Sequence, residues 1–334
     1  MRFIKGALIL LLVFGTLVLI AALGGIYWWR GANEAPNSDP TEVRFVITKG
    51  SSAETIGKNL EGQGLIKSAF AFKIYLQSKS LIAKIPPGEF DIPGNLKMGE
   101  VVLLLMQGPS EVWVTIPEGL RREEVADIVA ESFGYEGLDR EAYVDEFLDA
   151  SERMEGYLFP DSYLFDPDVS APQVVQRLRS TFDSKFNLTN SSSLSLDEVV
   201  TLASIIEREA GNGDERAIVA GIYLNRINAG WSLDADATLQ YAVGNVQCSG
   251  SLRGCDWWPR PVTVSMKESN SPYNTYRFAG LPPGPICNPG LSALKAAADP
   301  EESNYWFYLH DADGVIHYAR SLQEHNLNIS QYLR

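Results

Sequence analysis

Histidine and cysteine are scarce in this chain, with three of each among 334 residues. Three histidines exclude a histidine-rich metal protein, and three cysteines cannot build a disulfide scaffold. Positive charge is also in short supply: Lys and Arg total 28 against 42 Asp and Glu, a net charge of -14. Sequence-independent nucleic-acid binding needs clustered cations to displace counterions, so no nucleic acid is expected as a partner. Apolar residues are not lacking. Hydrophobic residues make up 45% and charged residues 21%, enough for an ordinary core and incompatible with wholesale disorder.

Charge is missing altogether from Gly6 to Trp29, 24 consecutive positions. As a helix this run spans roughly 36 Å, enough to cross a hydrocarbon core with some tilt. Arg2 and Lys5 precede it, and Tyr27, Trp28 and Trp29 close it like an interfacial aromatic belt. Residues 1–30 are therefore expected to be a cytoplasmic stub and a single plasma-membrane helix, with the rest of the chain outside. A cleaved signal peptide is the rival reading, although its apolar region is usually shorter and ends in small residues. Cys248 and Cys255 bracket a loop short enough to close as a local disulfide in an oxidising compartment. Cys287 is left over as a small apolar residue.

Residues 31–42 are polar and contain two prolines, which reads as a linker. A strand is expected at Val43–Ile47, followed by a helix from Ala53 to Leu60 capped by Ser51 or Ser52. The same grammar returns 69 residues later: strand Val114–Ile116, turn Pro117-Glu118-Gly119, helix Glu123–Val129. A duplication and the mere commonness of strand–turn–helix units explain this equally well. Residues 43–110 have the flavour of a LysM-like module, a small α+β glycan-binding fold, with a second, mixed α+β domain over 111–334. Further on, a helix is expected from Gln173 to about Phe186 and a polar loop over 187–193. The segment 231–290, rich in Pro, Gly, Asn and aromatics, reads as a groove wall. Near the end, Asp313-Gly314 suggests a two-residue hairpin turn that would make His310 and His317 cross-strand neighbours. Two imidazoles could begin a zinc site, but no third ligand is evident and no metal or cofactor is expected. A last helix should start at Ser321.

Ser195 and Glu198 form a capping box that opens a helix running to about Ala210. At about 100° per residue, Leu196, Val199, Val200, Ala203, Ile206 and Ala210 share one arc, and Glu207 falls inside it. Thr201, Ser204, Arg208 and Glu209 lie outside. An ionised carboxylate on an apolar stripe is costly unless paired or neutralised. If desolvation dominates, its pKa rises, as suits a general acid. A buried ion pair with Arg216 or Arg226 is the structural alternative.

Leu202-Ala-Ser-Ile-Ile-Glu-Arg-Glu-Ala210 resembles the signature helix of the YceG-like family, the endolytic murein transglycosylases. Three further stretches resemble that family in the same order. They are Glu155-Gly-Tyr-Leu-Phe-Pro-Asp-Ser-Tyr163; Tyr223-Leu-Asn-Arg226 with Leu233–Tyr241; and Ser271–Tyr276 with Gly280–Ile286 and Asn288-Pro-Gly290. The resemblance covers roughly residues 43–334. It implies cleavage of the MurNAc-GlcNAc β-1,4 bond of nascent peptidoglycan strands without water, leaving 1,6-anhydro-MurNAc ends and terminating strand growth. It implies Glu207 as catalytic acid and base, and peptidoglycan synthases as protein partners. Asp236 aligns with a family acid and reads as substrate-orienting or structural. Ala237 departs from the family, where Pro is common, and Cys248–Cys255 sits in a variable insertion.

Tyr273, Asn274 and Tyr276 are candidate sugar contacts, or equally a tight, internally bonded loop. Asn225, Thr238 and Tyr241 are further groove candidates, and Trp257 and Trp258 could rim the site or pack beneath it. Two other readings stay open. One is a muramidase-type hydrolase pairing Glu207 with Asp234 or Asp236, since hydrolysis usually needs a second carboxylate. The other is a glycan-binding scaffold without turnover.

Overall fold

The structure is a computed structural model that describes residues 2–48, 50–81, 85–188, 193–211, 213–249 and 254–333, with the side chains of residues 2–13, 213 and 214 outside that description. The loop expected over 187–193 and the segment between the two disulfide-candidate cysteines therefore lie partly outside it. The chain forms two compact units: Met1–Trp113 with Leu164–Asp168, and Val114–Tyr163 with Val169–Arg334. The architecture is mixed α+β, with helices predominating and three separate two-stranded sheets among the described residues.

The first unit begins with helix α1 (Arg2–Asn33). Among the described residues no helix is long and apolar enough to cross a membrane. Of the span expected over 6–29, the side chains of residues 6–13 lie outside the description, and the rest gives it no support. Strand β1 (Glu42–Ile47) is followed by α2 (Ala53–Gly62), α3 (Ala69–Lys79), β2 (Gly88–Pro93) and α4 (Met98–Gln107). Ser52 caps α2 by accepting from the Thr55 amide at 3.1 Å, and Ser68 caps α3 through Ala71 at 3.2 Å. β1 and β2 pair antiparallel, Phe45 opposite Phe90 and Val43 opposite Ile92. Alternation puts Phe45 and Ile47 into a core shared with Leu60, Phe72, Leu76, Ile92, Val101 and Leu105.

After β3 (Val112–Thr115) come α5 (Arg122–Ser132), α6 (Gly137–Ala150) and β4 (Ser162–Phe165), which pairs with β3. The similarity at 69-residue spacing thus extends further than the sequence suggests. Shifted by that interval, α2 falls on α5 and α3 on α6, and each helix pair lies between two paired strands. Gly50 and Gly119 both adopt positive φ, 84° and 79°, in the equivalent turns. This agreement favours duplication over coincidence.

The second unit continues with α7 (Ala171–Lys185), α8 (Leu196–Glu209), α9 (Gly213–Asn228), α10 (Asp236–Gln247), the short α11 (Val264–Lys267) and α12 (Leu291–Ala298). The expectation of a groove wall over 231–290 is corrected over α10, a helix with residues 237–242 buried. Helix α8 is the centre of this unit. Ser195 caps it as expected, but every residue from Val199 to Ile206 is buried, so the single apolar arc is too narrow a description. Thr201 and Ser204 can face protein because their hydroxyls donate back to Asp197 O and Thr201 O, each at 2.7 Å.

β5 (Phe307–His310), β6 (Ile316–Ala319) and α13 (Leu322–Tyr332) complete the chain. The predicted two-residue turn is wrong. His310 pairs with Ile316 and Leu309 with His317, so the two imidazoles lie on opposite faces. The cause is Asp311. Its carboxylate accepts from the amides of Asp313 and Val315 at 3.0 and 2.9 Å and pairs with His317 at 2.8 Å, leaving a longer loop and a register shifted by one.

Candidate active site

Glu207 lies in the last turn of α8, the next-to-last helical carboxylate before Ala210 ends the helix. Its side chain is only 6% exposed. Oε1 accepts from Nη2 of Arg216 on α9 at 2.7 Å, and Oε2 accepts from the Gly290 amide at 3.0 Å. Both sequence readings are therefore realised: the carboxyl group is buried, and it is ion-paired. Burial raises its pKa and is the largest influence; the Gly290 N–H and Arg216 oppose it, while Glu118 adds to the rise.

Three loops build the floor of this site. Gly119, at positive φ, brings the Glu118-Gly119 turn against Glu207, where a Cβ would lie 3.6 Å from Glu207 Cγ. The Gly119 amide donates to Asn288 O at 2.9 Å. Asn288 is fully buried; its side chain accepts from Leu158 N at 2.9 Å and donates to Leu120 O and Glu155 Oε1 at 3.0 and 3.1 Å. One side chain thus fastens the 118–122, 155–158 and 288–290 segments together. Ser204 adds another tie, accepting from Ile286 N at 3.0 Å.

Glu155 also accepts from Arg122 N at 3.1 Å, yet its Oε2 is buried with no partner among the described residues. Burial, with the nearby Glu123 charge, pushes its pKa up to about 8. The fold therefore favours the protonated form. The stability this contributes is complete below pH 4.5 and is lost as pH rises through about 8. Thermal melting followed from pH 5 to 9 should show a falling midpoint, and Glu155→Gln should flatten that fall. Parallel slopes for the two proteins would refute the assignment.

An aromatic cluster adjoins Arg208, the neighbour of Glu207. The Arg208 guanidinium stacks 3.8 Å over Trp258 and donates to Gly119 O at 3.3 Å. Tyr241 lies 4.8 Å from Tyr273 and 6.5 Å from Trp258 between ring centroids. Beneath them is Arg121, wholly buried, 4.1 Å over Tyr241 and 4.4 Å over Trp257, with its guanidinium also bonded to Tyr241 O and Asn245. Tyr241, Tyr273 and Trp258 are thus brought together, with Tyr273 and Trp258 partly exposed.

Other candidates are placed differently. Asn274 is fully buried, donating to Lys267 O and Ser269 O at 2.9 and 2.7 Å; it holds its own loop, as the loop reading allowed. Thr238 is fully buried and bonded to Ala235 O and Thr275, which leaves no surface for a sugar. Asn225 donates to Ser303 O and Tyr305 O, tying down the segment before β5. Tyr276 donates to Asp236 at 2.7 Å, and the Asp236 charge adds to the rise that burial gives the Glu209 pKa. Cys248 and Cys255 are joined as a disulfide with a Cα–Cα distance of 5.7 Å, and Cys287 is buried and free. Among the described residues no cluster of His, Cys, Asp and Glu could hold a metal ion.

The sequence reading assigned no role to Arg121, to the Glu118 carboxylate or to the Asn288 side chain. For Arg121 the one local signal is its place before a capping glutamate, Glu124. Glu118 was read as a turn residue. Arg216 was named as a partner for Glu207, but its second neighbour is Glu118, at 3.9 Å.

A family model described as the YceG-like family matches residues 45–331. The chain belongs to the YceG-like family. Proteins named endolytic murein transglycosylase are among its relatives. That of Streptococcus pneumoniae R6 is 25% identical over 371 aligned residues, covering 99% of this chain and 66% of the relative. That of Bacillus subtilis 168 is 28% identical over 320, covering 88% and 85%. The present YceG-like chain thus spans just under two thirds of the pneumococcal protein. A crystal structure of a yceG-like protein from Listeria monocytogenes is similar to it at a TM-score of 0.64 and 27% identity, covering 86% of this chain and 98% of that one. All four motifs of this YceG-like chain, Glu207 included, lie within the matched region.

Proposed function

We propose that this chain is a peptidoglycan lytic transglycosylase in which Glu207 is the proton donor and acceptor. The observation that carries the reading is a carboxyl group raised in pKa by burial, yet held at both oxygens by hydrogen-bond donors. The names of its relatives support the substrate class. Protonated Glu207 gives its proton to the leaving O4 of N-acetylglucosamine as the bond from C1 of N-acetylmuramic acid to O4 breaks. The C6 hydroxyl of the same muramic acid then attacks C1, and its proton passes to the Glu207 carboxylate. The 1,6-anhydro bond closes, the acid is regenerated, and no water is consumed. Tyr273 and Trp258 are partly exposed rings in the cluster that adjoins Arg208, the next residue along, and could face the sugar rings.

Hydrolysis with Asp234 or Asp236 as second carboxylate gains no support. Asp236 is bonded to Tyr276, and neither acid is among the largest influences on Glu207. The chain's uncharged 6–29 run supports a single-pass anchor in the plasma membrane with the catalytic part outside, where nascent glycan strands are found. The compact β1–α2–α3–β2 module suits a LysM-like glycan contact, and a strand-terminating enzyme would work beside peptidoglycan synthases. Mass analysis of digested peptidoglycan tests the reaction. Anhydro ends are expected. Reducing ends one water heavier would replace the proposal with the muramidase, and intact strands would leave a binding protein.

A further inference from the structure

Arg216 stands between two carboxylates. Its Nη2 lies 2.7 Å from Glu207 Oε1 and 3.9 Å from Glu118 Oε2. Its side chain is 11% exposed, against 6% for Glu207 and 49% for Glu118, so one partner is sealed and the other faces solvent. The fork is not saturated. Arg216 Nε is buried and has no acceptor among the described residues, whereas a locked guanidinium would bind a carboxylate through two nitrogens. Both carboxylates also converge on Gly290. Its amide donates to Glu207, and a Cβ on it would overlap the Glu118 carboxylate. Glycine there keeps open the space through which Glu118 reaches Arg216.

We infer that Arg216 transfers its pairing between Glu207 and Glu118, and that Glu118 is the positioning residue that releases Glu207 to carry a proton. This rests on Glu207 being the proton donor. A lone Glu207–Arg216 pair would hold the carboxylate ionised, unfit to donate. With Glu118 available, Arg216 keeps a counter-ion when Glu207 is protonated, so no uncompensated charge is left buried. As Glu207 gives up its proton, the cation returns to it and stabilises the carboxylate that forms. The other groups facing Glu207 are fixed: the Gly290 amide at the start of α12, and Arg208, held by Gly119 O and Trp258. Arg216 is the one that can move. Glu118 adds to the rise in the Glu207 pKa, as this requires.

The test is the pH profile of kcat/KM for release of anhydro ends, measured with the full chain. The alkaline limb reports loss of the protonated acid. Glu118→Gln should move that limb down by about half a pH unit or more, and Arg216→Gln should move it up by a similar amount. Glu118→Asp, which keeps the charge, should return most of the Glu118→Gln displacement. A Glu118→Gln limb that coincides with wild type, or moves upward, overturns the inference. Should Arg216→Gln not fold, the Glu118 pair decides alone, because Glu118 is half exposed and its loss does not disturb the core. Failure of the underlying reading looks different: wild type would yield no anhydro ends, or Glu207→Gln would retain them.

Discussion

Glu207→Gln should lower turnover on peptidoglycan by on the order of 10³-fold while leaving the folded structure in place. Glutamine has nearly the same shape, and its amide oxygen can still accept from either Gly290 N or Arg216. What it loses is the exchangeable proton that the reaction passes out and takes back. Glu118 also remains to compensate Arg216, so the substitution does not strand a buried cation. Unchanged circular dichroism together with retained binding to insoluble peptidoglycan would show that only chemistry is affected. Residual cleavage within tenfold of wild type would move the acid role to another residue.

The largest loss of stability from a single methyl group is expected at Gly221. In an ordinary helix, Gly→Ala gains about 1 kcal/mol. Here α9 passes so close to the chain at Glu301 that an added Cβ would overlap the Glu301 carbonyl oxygen. That backbone cannot swing aside cheaply, because Glu301 N donates to Ala217 O at 3.0 Å, one turn earlier on the same helix. The clash should outweigh the propensity gain. A net destabilisation of about 2 kcal/mol is expected, a fall of about 4–8 °C in the melting midpoint for a unit of this size. A midpoint equal to or above wild type would mean that the close approach is not maintained in solution.

Much of this was legible because local rules dominate it. Ser195 and Glu198 fixed the start of α8, and the positions of Ser52 and Ser321 set α2 and α13 for the same reason. Glu207 stood out because a charge interrupts an apolar face. Periodicity misread Thr201 and Ser204, since it counts hydroxyls as polar and cannot see them bonded to the preceding turn. It also missed α10, whose polar residues Thr238 and Gln240 are buried by tertiary packing. The terminal hairpin failed on one side chain, Asp311, which takes over the turn amides. The contacts of Glu118 and Asn288 were invisible for a different reason. Their partners lie on distant segments, and no spacing rule reports them.

The fastening by Asn288 also bears on when the protein becomes active. Its partners begin near residue 119, the acid sits at 207, and the amide that grips that acid belongs to residue 290. A nascent chain still in synthesis, or one clipped ahead of α12, holds the acid without its grip. The proposed proton donor is therefore complete only once residues 288–290 have been made and packed against α8.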